Sequence, residues 1–255
     1  MCRLFGLIAN KEVDIKFSML KASNNFKSQA KNNPHGWGIG YYKNSKPVVE
    51  KHGESAFYSN RFDELVKEVK SKIFIAHVRY ASSGSAYSDK NAHPFVFKNW
   101  IFAHNGTINK ERILKLLKLP YNKNFTSEPI DSEIYFRYVI QCIEENSDIY
   151  EGIKLAVNEV VRDSSGANFL LSDGEKLYAF RLGKELYYLL RDPTLLNVIS
   201  NETKALIESK APTNEKAILI SSEKLTVGES WKKIEDGYLL ICDENLKFEE
   251  VKICP

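Results

Sequence analysis

Asn168-Phe-Leu-Leu-Ser172-Asp173-Gly174-Glu175-Lys176-Leu-Tyr-Ala-Phe-Arg-Leu182 is the stretch on which the fold class turns. Two short apolar runs flank an Asp-Gly pair, the pattern of antiparallel strands joined by a tight turn. Downstream, Leu182-Gly183 reads as a second hairpin turn leading into a strand at Leu186–Arg191. Further strands are predicted at Ala217–Ser221, Tyr238–Cys242 and Lys247–Ile253. Upstream, Cys2–Ala9 is a compact apolar run, Lys72–Ala81 a strong strand, and Trp100–His104 a strand ending in Asn105-Gly106. Gly36–Tyr42 is a strand punctuated by glycine, which suggests close backbone approach. Helical spacing predicts helices over Asp14–Ala30, Phe62–Val69, Glu111–Leu119, Ser132–Glu145 and Tyr150–Val161, with Asp131 as an N-cap. Helices and antiparallel sheets in separate layers make an α+β fold. No repeat or linker divides the chain, so residues 1–255 are expected to form a single domain.

Composition narrows the function classes. With 255 residues, 43% hydrophobic and 12% aromatic, the chain has enough apolar material for a sizeable core and does not suit disorder. The net charge of +3 comes from scattered lysines, which gives nucleic-acid binding little support. No apolar run reaches the ~18 residues of a membrane span. The N-terminal run is too short for a signal peptide, and a reducing cytoplasm is the expected location. The 4 cysteines are therefore read as thiols and not as a disulfide framework. All 5 histidines precede residue 105, which points to where the chemistry lies.

Cys2 is singled out by its place. Removal of Met1 by an aminopeptidase leaves a thiol nucleophile and a free α-amine on one residue, with reference pKa values of roughly 8.5 and 7.7–8.0. On position alone, an ordinary cysteine in a buried strand explains it as well. In His77-Val78-Arg79-Tyr80-Ala81-Ser82-Ser83, Arg79 at a strand end beside hydroxyls suits a carboxylate, or else an internal ion pair. Asn105-Gly106 is a tight turn on local cues and an oxyanion hole on chemical ones. His93 and His104 are most simply satisfied structural histidines, and no ligand spacing supports a metal site. Asp131 is an N-cap or a partner for a substrate ammonium.

Taken together, Met1-Cys2, His35-Gly-Trp-Gly-Ile-Gly40, His77-Val-Arg-Tyr-Ala-Ser82, Asn91-Ala-His-Pro-Phe95, His104-Asn-Gly-Thr-Ile108 and Asp131-Ser-Glu133 closely resemble the class II glutamine amidotransferases. These are N-terminal-nucleophile hydrolases with a four-layer αββα sandwich. The start Met1-Cys-Arg-Leu-Phe-Gly6 and the late Ile220-Ser-Ser-Glu-Lys-Leu225 resemble the stand-alone branch of that family. The resemblance implies Cys2 as nucleophile with its own α-amine as base. It implies Asn105 and Gly106 as the oxyanion hole, and Arg79 with Ser82 on the substrate carboxylate. Asp131, with the Gly106 carbonyl, would hold the ammonium, and His93 would shape the site. Tyr80, Ser82 and Ser83 depart from residues common in synthase-linked members, which leaves the fine substrate choice open.

The implied activity is hydrolysis of glutamine or another γ-glutamyl small molecule, without cofactor or metal. Two other readings stay open: a glutaminase subunit feeding ammonia to a separate synthase, and a silent binding module if Met1 is retained. Neither nucleic acid nor membrane is an expected partner. The oligomeric state is open, a homodimer being one option.

Overall fold

The computed structural model of the chain describes residues 1–82, 84–125, 129–192 and 214–254. Two antiparallel sheets lie face to face. At the centre of the first, seven-stranded sheet runs β1 (Arg3–Val13), flanked by β4 (Ser71–Val78) and β10 (Ala217–Ser221). Beyond β4 come β2 (Trp37–Lys43) and β3 (Lys46–His52); beyond β10 come β9 (Tyr187–Arg191) and β11 (Lys232–Lys233). The second, six-stranded sheet orders β13 (Phe248–Lys252), β12 (Tyr238–Asp243), β8 (Lys176–Phe180), β7 (Ala167–Ser172), β6 (Trp100–Gly106) and β5 (Phe95–Phe97).

The period of two in each strand sorts side chains into separate cores. Leu4 and Ile8 of β1, Ile73 and Ile75 of β4, Ile101 and Ala103 of β6 and Leu170 of β7 meet between the sheets. Phe5, Leu7, Phe74 and Ala76 face the opposite way, onto Phe62, Leu65 and Val66 of α2 (Asn60–Glu68). Phe102, Phe169 and Leu171 point outward from the second sheet onto α4 (Asp131–Asn146) and α5 (Ile149–Val160). Helices, two sheets and helices thus form the four-layer αββα sandwich that the family resemblance implies.

Several local expectations fail. The span Asp14–Ala30 is not one helix: it holds a π-helical turn (Phe17–Lys21), then α1 (Phe26–Gln29) and a 3-10 turn (Ala30–Asn32). Asn25 interrupts it, its side-chain oxygen accepting from the Ser28 N–H at 2.9 Å as an N-cap. Leu182-Gly183 is a turn but not a hairpin, because β8 and β9 belong to different sheets. The helix expected at Glu111–Leu119 is the shorter α3 (Lys110–Leu114). Asp131 opens α4 but does not cap it; Ile130 occupies the cap position. Among the described residues no helix is long and apolar enough to cross a membrane.

The outer aromatic core is a direct test of this layering. Phe102 is fully buried, stacked on Phe136 of α4 with ring centres 5.1 Å apart. Phe102→Ala should lower stability by about 3–5 kcal/mol through lost burial and an unfilled cavity. Chemical denaturation measures the change.

Candidate active site

The strand ends near residue 2 converge on one point. Arg3 of β1 is in register with Val78 of β4, which sets Cys2 beside the chain leaving β4. That chain stays tied to the residues preceding β2: the Arg79 N–H donates to Gly36 O at 2.8 Å and the His35 N–H to Arg79 O at 3.0 Å. From the second sheet comes the end of β6, and from the helical layer the start of α4. Between them lies a cavity of about 20 Å³, with Cys2, Arg79, Ser82, His93, Gly106 and Asp131 in its wall. Ser83 lies outside the described residues.

Asn105 and Gly106 are the last residues of β6, paired with Asn168 and Ala167 of β7, so the tight-turn reading is corrected. Gly106 is held to glycine by space: a Cβ there would lie 1.8 Å from the Gly166 carbonyl oxygen. Gly38 is similar, since a Cβ would lie 2.2 Å from His93 O. The glycine-punctuated strand thus lets the His93 segment approach β2 closely, as its composition suggested.

Cys2 Sγ accepts a hydrogen bond from the Tyr80 N–H at 3.3 Å and stands 3.4 Å from Tyr80 O, to which the thiol donates. Burial pushes the thiol pKa up, because it disfavours the charged thiolate. The Tyr80 N–H, the N-terminal positive charge and Arg79 oppose that rise. The thiol is therefore neutral at rest, with groups around it that favour its anion.

Arg79 and Asp131 supply opposite charges within the same wall, 2% and 4% exposed respectively. One guanidinium nitrogen of Arg79 donates to Ser85 O at 2.8 Å, anchoring the loop after β4. Asp131 Oδ2 accepts from the Ile108 N–H at 3.1 Å, joining the start of α4 to the chain beyond β6. Asn105 is set apart from the other expected site residues. It is not in the cavity wall, and its Nδ2 donates to Cys2 O at 3.0 Å. A primary amide has two N–H donors, so one is engaged there.

His93 and His104 are both buried, but only His104 is hydrogen-bonded as the sequence reading expected of the two. Among the described residues neither ring nitrogen of His93 has a hydrogen-bond partner, His77 has only a main-chain approach from His104, and the two rings stack 4.2 Å apart. Burial holds His93 well below its ordinary pKa and pushes His77 down to about 3, so both rings are neutral. His104 Nδ1 lies 2.8 Å from Ser132 Oγ, and the Gly166 main chain approaches the ring as well. The Ser132 bond links the residue before Asn105 to the residue after Asp131. Sequence reasoning missed the Ser132 partner and the two main-chain contacts from Tyr80; the only signal was their adjacency to Asp131 and Arg79. Among the described residues no set of three His, Cys, Asp or Glu side chains is placed to hold a metal ion.

Residues 1–249 match the family model of the glutamine amidotransferases class-II. The chain belongs to that family. An uncharacterized protein of Methanocaldococcus jannaschii is 33% identical over 260 residues, spanning 94% of this chain and 69% of that one. The YafJ protein of Escherichia coli (strain K12) is 27% identical over 263 residues, spanning 95% and 98%. A glutamine aminotransferase class-II domain protein from Silicibacter pomeroyi superposes with a TM-score of 0.66 at 16% identity, covering 100% of both chains. The glutamine phosphoribosylpyrophosphate amidotransferase of B. subtilis gives 0.69 at 18% identity, over 99% of this chain and 49% of that one. Those two likenesses establish the shared amidotransferase fold.

The raised thiol pKa has a measurable consequence. In chain that retains Met1, Cys2 should react with iodoacetamide more slowly than free cysteine at neutral pH. Its rate should keep climbing at pH values where free cysteine has levelled off, since the thiolate forms later. Peptide mass spectrometry separates Cys2 from Cys142, Cys242 and Cys254, which are buried free thiols.

Proposed function

We propose that this amidotransferase is a stand-alone γ-glutamyl amide hydrolase that uses Cys2, freed by loss of Met1, as its nucleophile. The observation that carries the reading is one wall holding a thiol, a buried cation and a buried carboxylate: Cys2, Arg79 and Asp131. A glutamyl group is zwitterionic at its α-carbon, so it needs one clamp of each sign, with the γ-carbonyl left over the thiol. Arg79, aided by Ser82, takes the carboxylate; Asp131 and the Gly106 carbonyl take the ammonium. His93 shapes the wall as a neutral ring. The cavity at rest has room for about one water, given the 10–15 Å³ a water needs, so its walls move apart to admit substrate.

Loss of Met1 turns the Cys2 nitrogen into a free amine, which takes the thiol proton directly or through one water. The thiolate sulfur bonds to the carbonyl carbon of the γ-carboxamide, and the carbonyl electron pair moves onto oxygen. The Gly106 N–H stabilises that oxyanion, joined by the second Asn105 amide proton once the walls have moved apart. As the carbonyl re-forms, the C–N bond breaks and the departing nitrogen takes the proton from the α-ammonium. Ammonia or an amine leaves a γ-glutamyl thioester. Water then adds to the thioester, giving its proton to the amine; the C–S bond breaks, glutamate departs and the thiol is restored.

Intact mass of the native protein should correspond to loss of Met1, and the purified protein should release glutamate from glutamine or γ-glutamyl compounds. Cys2→Ala should abolish release; full activity in that variant would falsify the mechanism. Asp131→Asn removes one charged contact and should raise KM for glutamine about 10- to 100-fold, with a smaller change in kcat. Steady-state kinetics on the processed chain measures both.

A further inference from the structure

Where the chain leaves β4, two peptide planes face the thiol. The plane joining Arg79 to Tyr80 presents the Tyr80 N–H, which donates to Cys2 Sγ at 3.3 Å. The plane joining Tyr80 to Ala81 presents the Tyr80 carbonyl, to which the thiol donates at 3.4 Å. A peptide unit is planar, so whatever holds one end of it aims the other.

His35 holds the far end of both planes. Its main-chain N–H donates to Arg79 O at 3.0 Å. Its ring Nδ1 accepts from the Ala81 N–H at 2.9 Å. The register between β2 and β4 runs to Trp37 and Val78, and the Arg79 N–H carries it one step further, onto Gly36 O. Past that step the Ala81 N–H takes a side-chain acceptor in place of a strand partner.

The ring is itself held. Its centre lies 5.0 Å from that of the Tyr80 ring, and it meets the Tyr87 ring edge-on at 5.1 Å. An imidazole nitrogen accepts a hydrogen bond only without a proton of its own, so the Ala81 contact selects the tautomer with its hydrogen on Nε2. The contact matters most when the thiolate forms. Burial opposes that anion, and the Tyr80 N–H is the largest influence in its favour.

We propose that His35 is a positioning residue for the nucleophile: by accepting from the Ala81 N–H, its ring keeps the Tyr80 N–H aimed at Cys2 Sγ as the thiolate forms. It acts through the main chain of residues 79–81. The inference rests on the reading of Cys2 as the nucleophile and adds the side chain that aims its hydrogen-bond donor.

The test separates the acceptor from the ring. His35→Asn keeps an acceptor near the place of Nδ1, and His35→Phe keeps the packing on Tyr80 and Tyr87 without one. On chain that retains Met1, the pH midpoint of Cys2 alkylation by iodoacetamide reports the thiolate. It should rise by about one pH unit in His35→Phe, a roughly tenfold smaller thiolate fraction at neutral pH, and return towards the wild type in His35→Asn. Unfolding would move the midpoint the other way, towards that of free cysteine. On the chain without Met1, kcat for glutamine should fall about tenfold in His35→Phe, with a smaller change in KM, and recover in His35→Asn. A midpoint unchanged in His35→Phe, or raised equally in both variants, overturns the role. Nitrogen-15 NMR of the wild type needs no variant: near neutral pH the His35 ring should carry its hydrogen on Nε2, and a hydrogen on Nδ1 overturns the proposal. If the wild type hydrolyses neither glutamine nor γ-glutamyl compounds, the hydrolase reading fails, while the alkylation midpoint and the tautomer still judge His35.

Discussion

Two-sided pairing of the first strand is the constraint on which the site depends. The first residues of a chain ordinarily fray, because little holds them. Here β1 is paired with β4 from Arg3 onward and with β10 from Phe5 onward. The Leu4 N–H donates to Ser222 Oγ at 2.9 Å, and the Ser222 N–H returns to Leu4 O at 3.0 Å. A central position in a seven-stranded sheet thus fixes a residue that would otherwise be mobile. The proposed nucleophile would use its own amine and so has to be the first residue, and this topology holds that start of the chain in place.

The second sheet and its helices complete what β1 begins. Between the sheets, Gly6 leaves room for Leu170 and Leu177, which approach within 3.1 and 3.2 Å of where its Cβ would be. That close contact brings the end of β6 up to the start of β1, and with it Asn105 to the Cys2 carbonyl. On the outer face, the Asp131 carboxylate and the His104–Ser132 contact tie α4 to the same strand end. Opposite charges therefore reach one small cavity from separate layers, each held by contacts of its own. Burial there is costly for every ionised group, which is why the thiol stays neutral until a base is beside it.

What the sequence disclosed depended on how locally each feature is determined. β4 and β7 are apolar runs that are buried along nearly their whole length, so their periodicity was legible. β3 escaped notice: Lys46-Pro-Val-Val-Glu-Lys-His52 is an edge strand with Pro47 and no buried residue, so it shows no alternation of buried and exposed positions. Asn105-Gly106 and Leu182-Gly183 share with Asp173-Gly174 the glycine that marks a turn, yet only the last joins a hairpin. Pairing with β7 in one case, and a crossing between sheets in the other, is decided by partners far along the chain. Motif order and spacing singled out Cys2, Arg79, Ser82, His93, Gly106 and Asp131, which the fold brings into one cavity wall. The place of Asn105 was not legible: it is bonded to the Cys2 carbonyl and is not in that wall.

The stacked His77 and His93 rings have a consequence for acid tolerance. Their pKa values are depressed in the folded protein, whereas the unfolded chain protonates histidine near the ordinary value of about 6.5. Below that pH the unfolded chain takes up protons that the native one refuses, and stability falls as pH drops towards the folded value, about 3 for His77. Acidification thus acts on the wall of the site through folding, before it reaches the carboxylates. The His93 ring in the cavity wall and the His77 ring stacked on it thus set a lower pH bound on the molecule that contains them.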